Sequence, residues 1–167
     1  QIRAHEGLVA GATAWSSGRF NLAQSGQTEM VDGIWASGRF FEVLGVPALI
    51  GRTITAEDDR RGGGTDGPVT VISYGFWQRY LGGDRAAIGR TLSLNERPVE
   101  VIGVTSPGFS GVEVGRAFDV AVPLCSHAAL GSEPGWLGNG TVWWLTVMGR
   151  MPAGRSLDLV NGQLDTA

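Results

Sequence analysis

The sequence predicts an α+β domain built mainly from short strands. Three observations lead there. Of the 167 residues, 43% are hydrophobic and 17% charged, enough apolar side chain for a packed core and too little charge for a disordered chain. Short segments with strand-type alternation or β-branched runs recur between Gly, Pro, Asn and Asp. Helical spacing is confined to three short stretches, which do not alternate regularly with strands as in a doubly wound sheet. The length suits one domain.

Residues 7–22 read as a strand, a turn at Ser16-Ser17-Gly18 and the start of a second strand. Residues 27–36 set Thr28, Met30, Ile34 and Trp35 among polar Gln27, Glu29 and Asp32, a strand with an irregularity at Gly33. Ser37 is placed to cap a helix over 39–44 that puts Phe40, Phe41 and Leu44 on one side. Gly45 is placed to end it in the left-handed conformation, and Val46 before Pro47 must be extended. A short strand is expected at Arg52-Thr53-Ile54, and Thr55 with Asp58 has the spacing of a capping box. Residues 60–68 form a glycine-rich loop.

Val69–Ser73 is a buried-type strand. Ser73 caps a helix over 74–81, where Phe76, Trp77, Tyr80 and Leu81 recur three and four apart, and Gly82-Gly83 stops it. Strands follow at 90–94 and 98–104 around a turn at Asn95-Glu96-Arg97, then a glycine-rich loop over 107–115 and a strand over 118–124. Residues 126–140 read mostly as loop. Thr141–Met151, with Val142, Trp143, Trp144, Leu145, Val147 and Met148, is the strongest strand pattern. A turn at Pro152-Ala153-Gly154 leads to a helix capped by Ser156, with Leu157, Val160 and Leu164 on one face.

Composition excludes several functions. Net charge is -3 and all 13 basic residues are Arg, so there is no basic field for a nucleic-acid backbone. No apolar run reaches membrane-spanning length, and the first residues lack the apolar stretch of a signal peptide. A start without Met and a final helix that stops mid-pattern fit a domain cut from between other segments. The single Cys125 excludes an internal disulfide. It is expected in the core, because a nucleophile paired with His127 would need a base and an oxyanion site that the spacing does not supply.

Motifs for chemistry are weak throughout. Gly62-Gly63-Gly64-Thr65 lacks the Lys of a phosphate-binding loop and precedes a strand. Glu57, Asp58 and Asp59 are adjacent and so point apart, unlike a calcium loop. His5 and His127 have no zinc-ligand spacing and are expected at the surface or at a cap. Gly108-Phe109-Ser110-Gly111 lacks the spacer of a nucleophile elbow, leaving a tight loop with a buried Phe109. Asn139-Gly140-Thr141 has the form of a glycosylation acceptor, a common chance triplet. Of six tryptophans, Trp15, Trp35 and Trp77 sit in apolar patterns. Trp143 and Trp144 take opposite sides of one strand, so one of them is expected at the surface. Trp136, beside Pro134 and Leu137, and Trp143 are the candidate partner contacts. No catalytic, cofactor-binding or metal site is expected. A secreted carbohydrate- or protein-binding module remains the alternative reading of the aromatic residues and glycine-rich loops.

Taken in order, the segments resemble the periplasmic core domain of MacB-like and FtsX-like ABC-transporter permeases. Gly33-Ile34-Trp35-Ala36-Ser37-Gly38-Arg39-Phe40-Phe41-Glu42-Val43-Leu44-Gly45 is similar to that family's strand and following helix. Gly51-Arg52-Thr53-Ile54-Thr55-Ala56-Glu57-Asp58-Asp59, Val69-Thr70-Val71-Ile72-Ser73-Tyr74-Gly75-Phe76-Trp77, Asp84 to Leu94, Val99 to Val104, Phe118 to Leu124 and Met148 to Gly154 resemble its later motifs. Ala121 departs from a usual Trp. The resemblance implies two lobes: a porter-like lobe from residues 1–48 and 141–167, and an inserted, mainly-β Sabre-like lobe from 49–140. It implies an extracytoplasmic (periplasmic) domain of a membrane protein that carries no chemistry and transmits ATP-driven conformational change. The implied partners are its own flanking transmembrane helices, a second permease copy or paralogue, a cytoplasmic ATPase subunit or domain, and a periplasmic adaptor or substrate.

Overall fold

The computed structural model describes residues 11–24, 26–61, 64, 67–131, 142–151 and 154. Its strands are β1 (Gly11–Gln24), β2 (Gln27–Ala36), β3 (Ala48–Gly51), β4 (Val69–Ile72), β5 (Thr91–Leu94), β6 (Arg97–Thr105), β7 (Val120–Pro123) and β8 (Thr146–Arg150). Three short helices accompany them: α1 (Phe40–Leu44), α2 (Tyr74–Leu81) and α3 (His127–Leu130). This is the α+β class that the sequence predicts.

The strands form one mixed eight-stranded sheet. β1 pairs antiparallel with β2, β2 parallel with β7, β7 antiparallel with β4, β4 parallel with β6, β6 antiparallel with β5, and β5 antiparallel with β1. These pairings close a ring, which leaves its six members no long bare edge. β3 extends it along β6 and β8 along β1. Strands from residues 11–36 and 146–150 therefore join strands from 69–123 in one hydrogen-bonded sheet.

Both faces of the central strands are covered, so β4 and β7 are buried at every position. One face holds Ile72, Val101, Val120 and Val122 with Phe76 and Trp77 of α2; the other holds Val71, Ile102 and Ala121 with Phe40 and Phe41 of α1. A strand buried on both sides reads as a continuous apolar run rather than an alternation.

Local signals acted as expected at several places. The Ser73 hydroxyl accepts the Phe76 N–H at 3.1 Å, capping α2. Gly45 and Gly82 end α1 and α2 in the left-handed conformation. Asn95 and Glu96, both at positive φ, make the two-residue turn between β5 and β6.

Elsewhere the structure corrects the sequence reading. Ser16-Ser17-Gly18 does not turn: β1 is continuous, with Gly18 opposite Gly33 on β2. Both glycines make room for rings. A Cβ on Gly18 would lie 2.8 Å from the Trp35 indole nitrogen, and one on Gly33 2.4 Å from the Phe20 ring. Ser37 does not cap α1; its hydroxyl bonds the Thr13 hydroxyl at 2.7 Å and accepts the Ala14 N–H at 3.1 Å, joining the end of β2 to β1. The short strand near Arg52 lies earlier, at β3. The strand expected over 118–124 begins only at Val120. Of residues 142–151, only Thr146–Arg150 is strand, and Trp144, ahead of it, packs against the core. The expected final helix, His5, Gly62-Gly63, Trp136 and Asn139 lie outside the described residues.

Candidate functional site

The acidic run separates into three unrelated jobs. The Asp58 carboxylate receives the Arg52 guanidinium at 2.7 and 2.8 Å and the Thr55 N–H and hydroxyl, each at 2.8 Å. That is the backward-reaching half of a capping box, closing a turn with no helix behind it. Burial opposes ionisation of Asp58, but the hydrogen bonds from Arg52 and Thr55 and the Arg52 charge outweigh it and hold the carboxyl below its usual range. Asp59 accepts the N–H groups of Gly38 and Cys125 at 3.0 and 2.8 Å, and Glu57 pairs with Arg60. Among the described residues no group of three or more His, Cys, Asp or Glu converges on a point where a metal could sit.

Cys125 is half-buried in a short 3-10 turn, not in a strand. Of the surface and cap positions expected for His127, the structure gives a cap: it closes that 3-10 turn. It is only 5% exposed, and its ring lies 4.8 Å from that of Trp35 and 5.0 Å from that of Trp144. Burial pushes its pKa down, favouring the neutral imidazole. The sequence carried no sign of this, because the three rings come from β2, α3 and the segment before β8. In the loop over 107–115 Phe109 is half-buried rather than buried, its ring 6.2 Å from Phe41 and 5.7 Å from Phe118, and the Ser110 carbonyl accepts the Phe118 N–H. Ser110 sits on no strand-to-helix elbow.

What remains at the surface is an apolar stripe. Trp143 is 96% exposed, and Leu145 and Val147 follow at spacing two, also exposed. They lead into and along β8, which pairs with β1 alone among the described strands. β8 is fixed at its far end, where the Arg150 guanidinium donates to the Val43 carbonyl of α1 at 2.9 and 2.7 Å. Gly11 and Arg150 are direct partners across β1 and β8, so the two segments enter and leave the sheet side by side.

The sequence pattern of the MacB-like periplasmic core domain matches residues 1–167. The chain belongs to that family. Its fold is also that of solved relatives. The periplasmic region of MacB from Actinobacillus actinomycetemcomitans superposes with a TM-score of 0.71 at 15% identity, over 98% of this chain and 67% of that one. The extracellular domain of the noncanonic ABC-type transporter YknZ from Gram-positive bacteria gives 0.64 at 17% identity, over 96% and 74%. No curated protein matches the chain in sequence.

As a MacB-like periplasmic core domain, the chain uses two of its motif glycines where backbones cross. Gly51 has φ +70°, and a Cβ there would sit 2.2 Å from the Ile102 carbonyl oxygen. A Cβ on Gly103 would sit 2.0 Å from that of Arg52, whose N–H donates to Ile102. Neither side could give way, since both obstacles are main chain. The two motifs, distant in sequence, are halves of one contact between β3 and β6.

Proposed function

We propose that this domain is the mechanical, non-catalytic extracytoplasmic part of an ABC-transporter permease, passing ATP-driven movement of the membrane segments to a substrate or partner. The family match along the whole chain carries the reading. The pairing of the first and last described strands supports it: Gly11 of β1 lies opposite Arg150 of β8, an arrangement compatible with a pair of neighbouring membrane helices. No helix among the described residues is long and apolar enough to cross a membrane, so the attachment comes from outside them. In this reading residues 1–48 and 141–167 form a porter-like lobe and 49–140 an inserted Sabre-like lobe. The partners are the flanking transmembrane helices, a second permease copy or paralogue, a cytoplasmic ATPase acting through the membrane, and an adaptor or substrate outside it. No cofactor is needed. Trp143, with Leu145 and Val147, is the contact surface on which such a partner would dock.

Protease treatment of spheroplasts carrying the full-length permease tests this. Cleavage within the domain from outside, with the flanking segments resisting alkaline extraction, is the expected result. A full-length protein that remains soluble would remove the reading.

A further inference from the structure

Beneath the loop over 107–118 lies a cavity of about 10 Å³ bounded by Trp15, Ser17, Ile34, Gly111, Arg116 and Phe118. Two of its lining residues carry buried polar atoms without a hydrogen-bond partner among the described residues: the Trp15 indole nitrogen and the Ser17 hydroxyl. Trp15 as a whole is 7% exposed. The two residues stand at spacing two on β1, on one face of the strand. Buried polar groups are almost always satisfied, because one left without a partner loses the hydrogen bonds that water gave it in the unfolded chain.

We propose that this cavity holds a single structural water bonded to Trp15 Nε1–H and Ser17 Oγ, which joins β1 to the covering loop. Size decides against larger occupants. Sites for organic ligands run to roughly 300–1,000 Å³, whereas one water needs only about 10–15 Å³. Chemistry decides among small ones. An indole N–H only donates, so the occupant must accept, which excludes a cation. An anion would need a free positive charge, but the nearest guanidinium, Arg116, is engaged by Asp32 at 3.1 Å and by Glu113 at 3.5 Å. A water accepts from the indole and still has protons and a lone pair for Ser17 and the loop backbone. Trp15 and Ser17 thereby become positioning residues for the loop whose tip carries the fully exposed Val114.

A crystal structure of the chain at a resolution that orders solvent, together with amide hydrogen exchange of wild type and Ser17→Ala, tests this. The expected result is one water peak within about 3 Å of both Trp15 Nε1 and Ser17 Oγ. In Ser17→Ala, exchange should rise several-fold at residues 111–118 and stay unchanged in β4 and β7. An indole N–H that donates to a protein carbonyl, or a cavity filled by an ion or additive, would overturn the proposal. So would exchange at 111–118 that is the same in both proteins. Trp15→Phe, which keeps an aromatic side chain but removes the five-membered ring with its N–H donor, gives the second arm: loss of the water with the sheet intact is expected, and an undisturbed water would show that the indole does not hold it.

Discussion

The imidazole of His127 lies 5.0 Å from the indole of Trp144, the two planes tilted by 51°, and Trp35 stands 4.8 Å away from the same ring. One histidine therefore anchors the segment leading into β8 to the core of the ring of strands. Because burial lowers the His127 pKa below its ordinary 6.5, the unfolded chain binds a proton at this site more readily than the folded one. The stabilising contribution is complete above the unfolded value and is lost as pH falls through the folded one. Urea unfolding measured against pH should show a plateau above about 6.5 and a decline beneath it. His127→Phe, which keeps an aromatic ring between the tryptophans, should flatten that decline. A slope that persists in the variant would assign it to other groups.

Asp58 gives a second, more acidic transition. Its folded pKa is lowered, so its contribution is present above the usual aspartate value of 3.8 and disappears as pH falls through the folded value. Asp58→Ala should cost about 1–3 kcal/mol at neutral pH, since it removes the acceptor of the Thr55 N–H and hydroxyl and one of the partners of the Arg52 guanidinium. Denaturation midpoints at pH 7 and pH 3 would check it: the gap between wild type and variant should narrow at the lower pH.

Gly33→Ala tests the ring-and-glycine contact between β1 and β2. The added methyl would meet the Phe20 ring at 2.4 and 2.6 Å, and Phe20 is completely buried. Overpacking of this kind costs about 1–3 kcal/mol. Gly108→Ala, which meets nothing within 4 Å, should shift stability by no more than about 0.5 kcal/mol. Equal effects of the two on the thermal midpoint would contradict the packing argument.

Trp143→Ala separates folding from partnership. With its side chain almost wholly in solvent, its loss should change the stability of the domain by no more than about 0.5 kcal/mol. If a partner docks on the stripe as proposed, the same substitution should weaken that association in the full-length permease. Unchanged dimerisation and ATPase activity of the whole transporter would remove Trp143 from the interface.

The local signals that survived folding share a property: they act within a few residues. Ser73 reaches the third amide along, Gly45 and Gly82 take a left-handed step after a helix, and Asn95-Glu96 turn one strand directly into the next. Signals read locally but used at long range were misassigned. Gly18 and Gly33 looked like breaks and are spaces for Phe20 and Trp35; Ser37 looked like a cap and is a clamp onto β1. The candidate surface was half legible. Alternation implied that one of Trp143 and Trp144 faces out, and the exposed one is Trp143, but nothing in the spacing announced that Trp144 would meet a histidine.

By itself the sequence determined the class of fold, the family, the positions of most strands and helices, and the lack of any convincing catalytic motif. Periodicity and short-range hydrogen bonding decide such things one segment at a time. The tertiary structure alone decided that the strands close into a ring, that Gly51 and Gly103 meet as close partners across β3 and β6, that His127 is buried between two indoles, and that Trp15 and Ser17 border one small cavity. Each of these joins residues far apart in the chain. Such contacts depend on register and on close packing between elements, and the spacing of residues along one element carries no record of either.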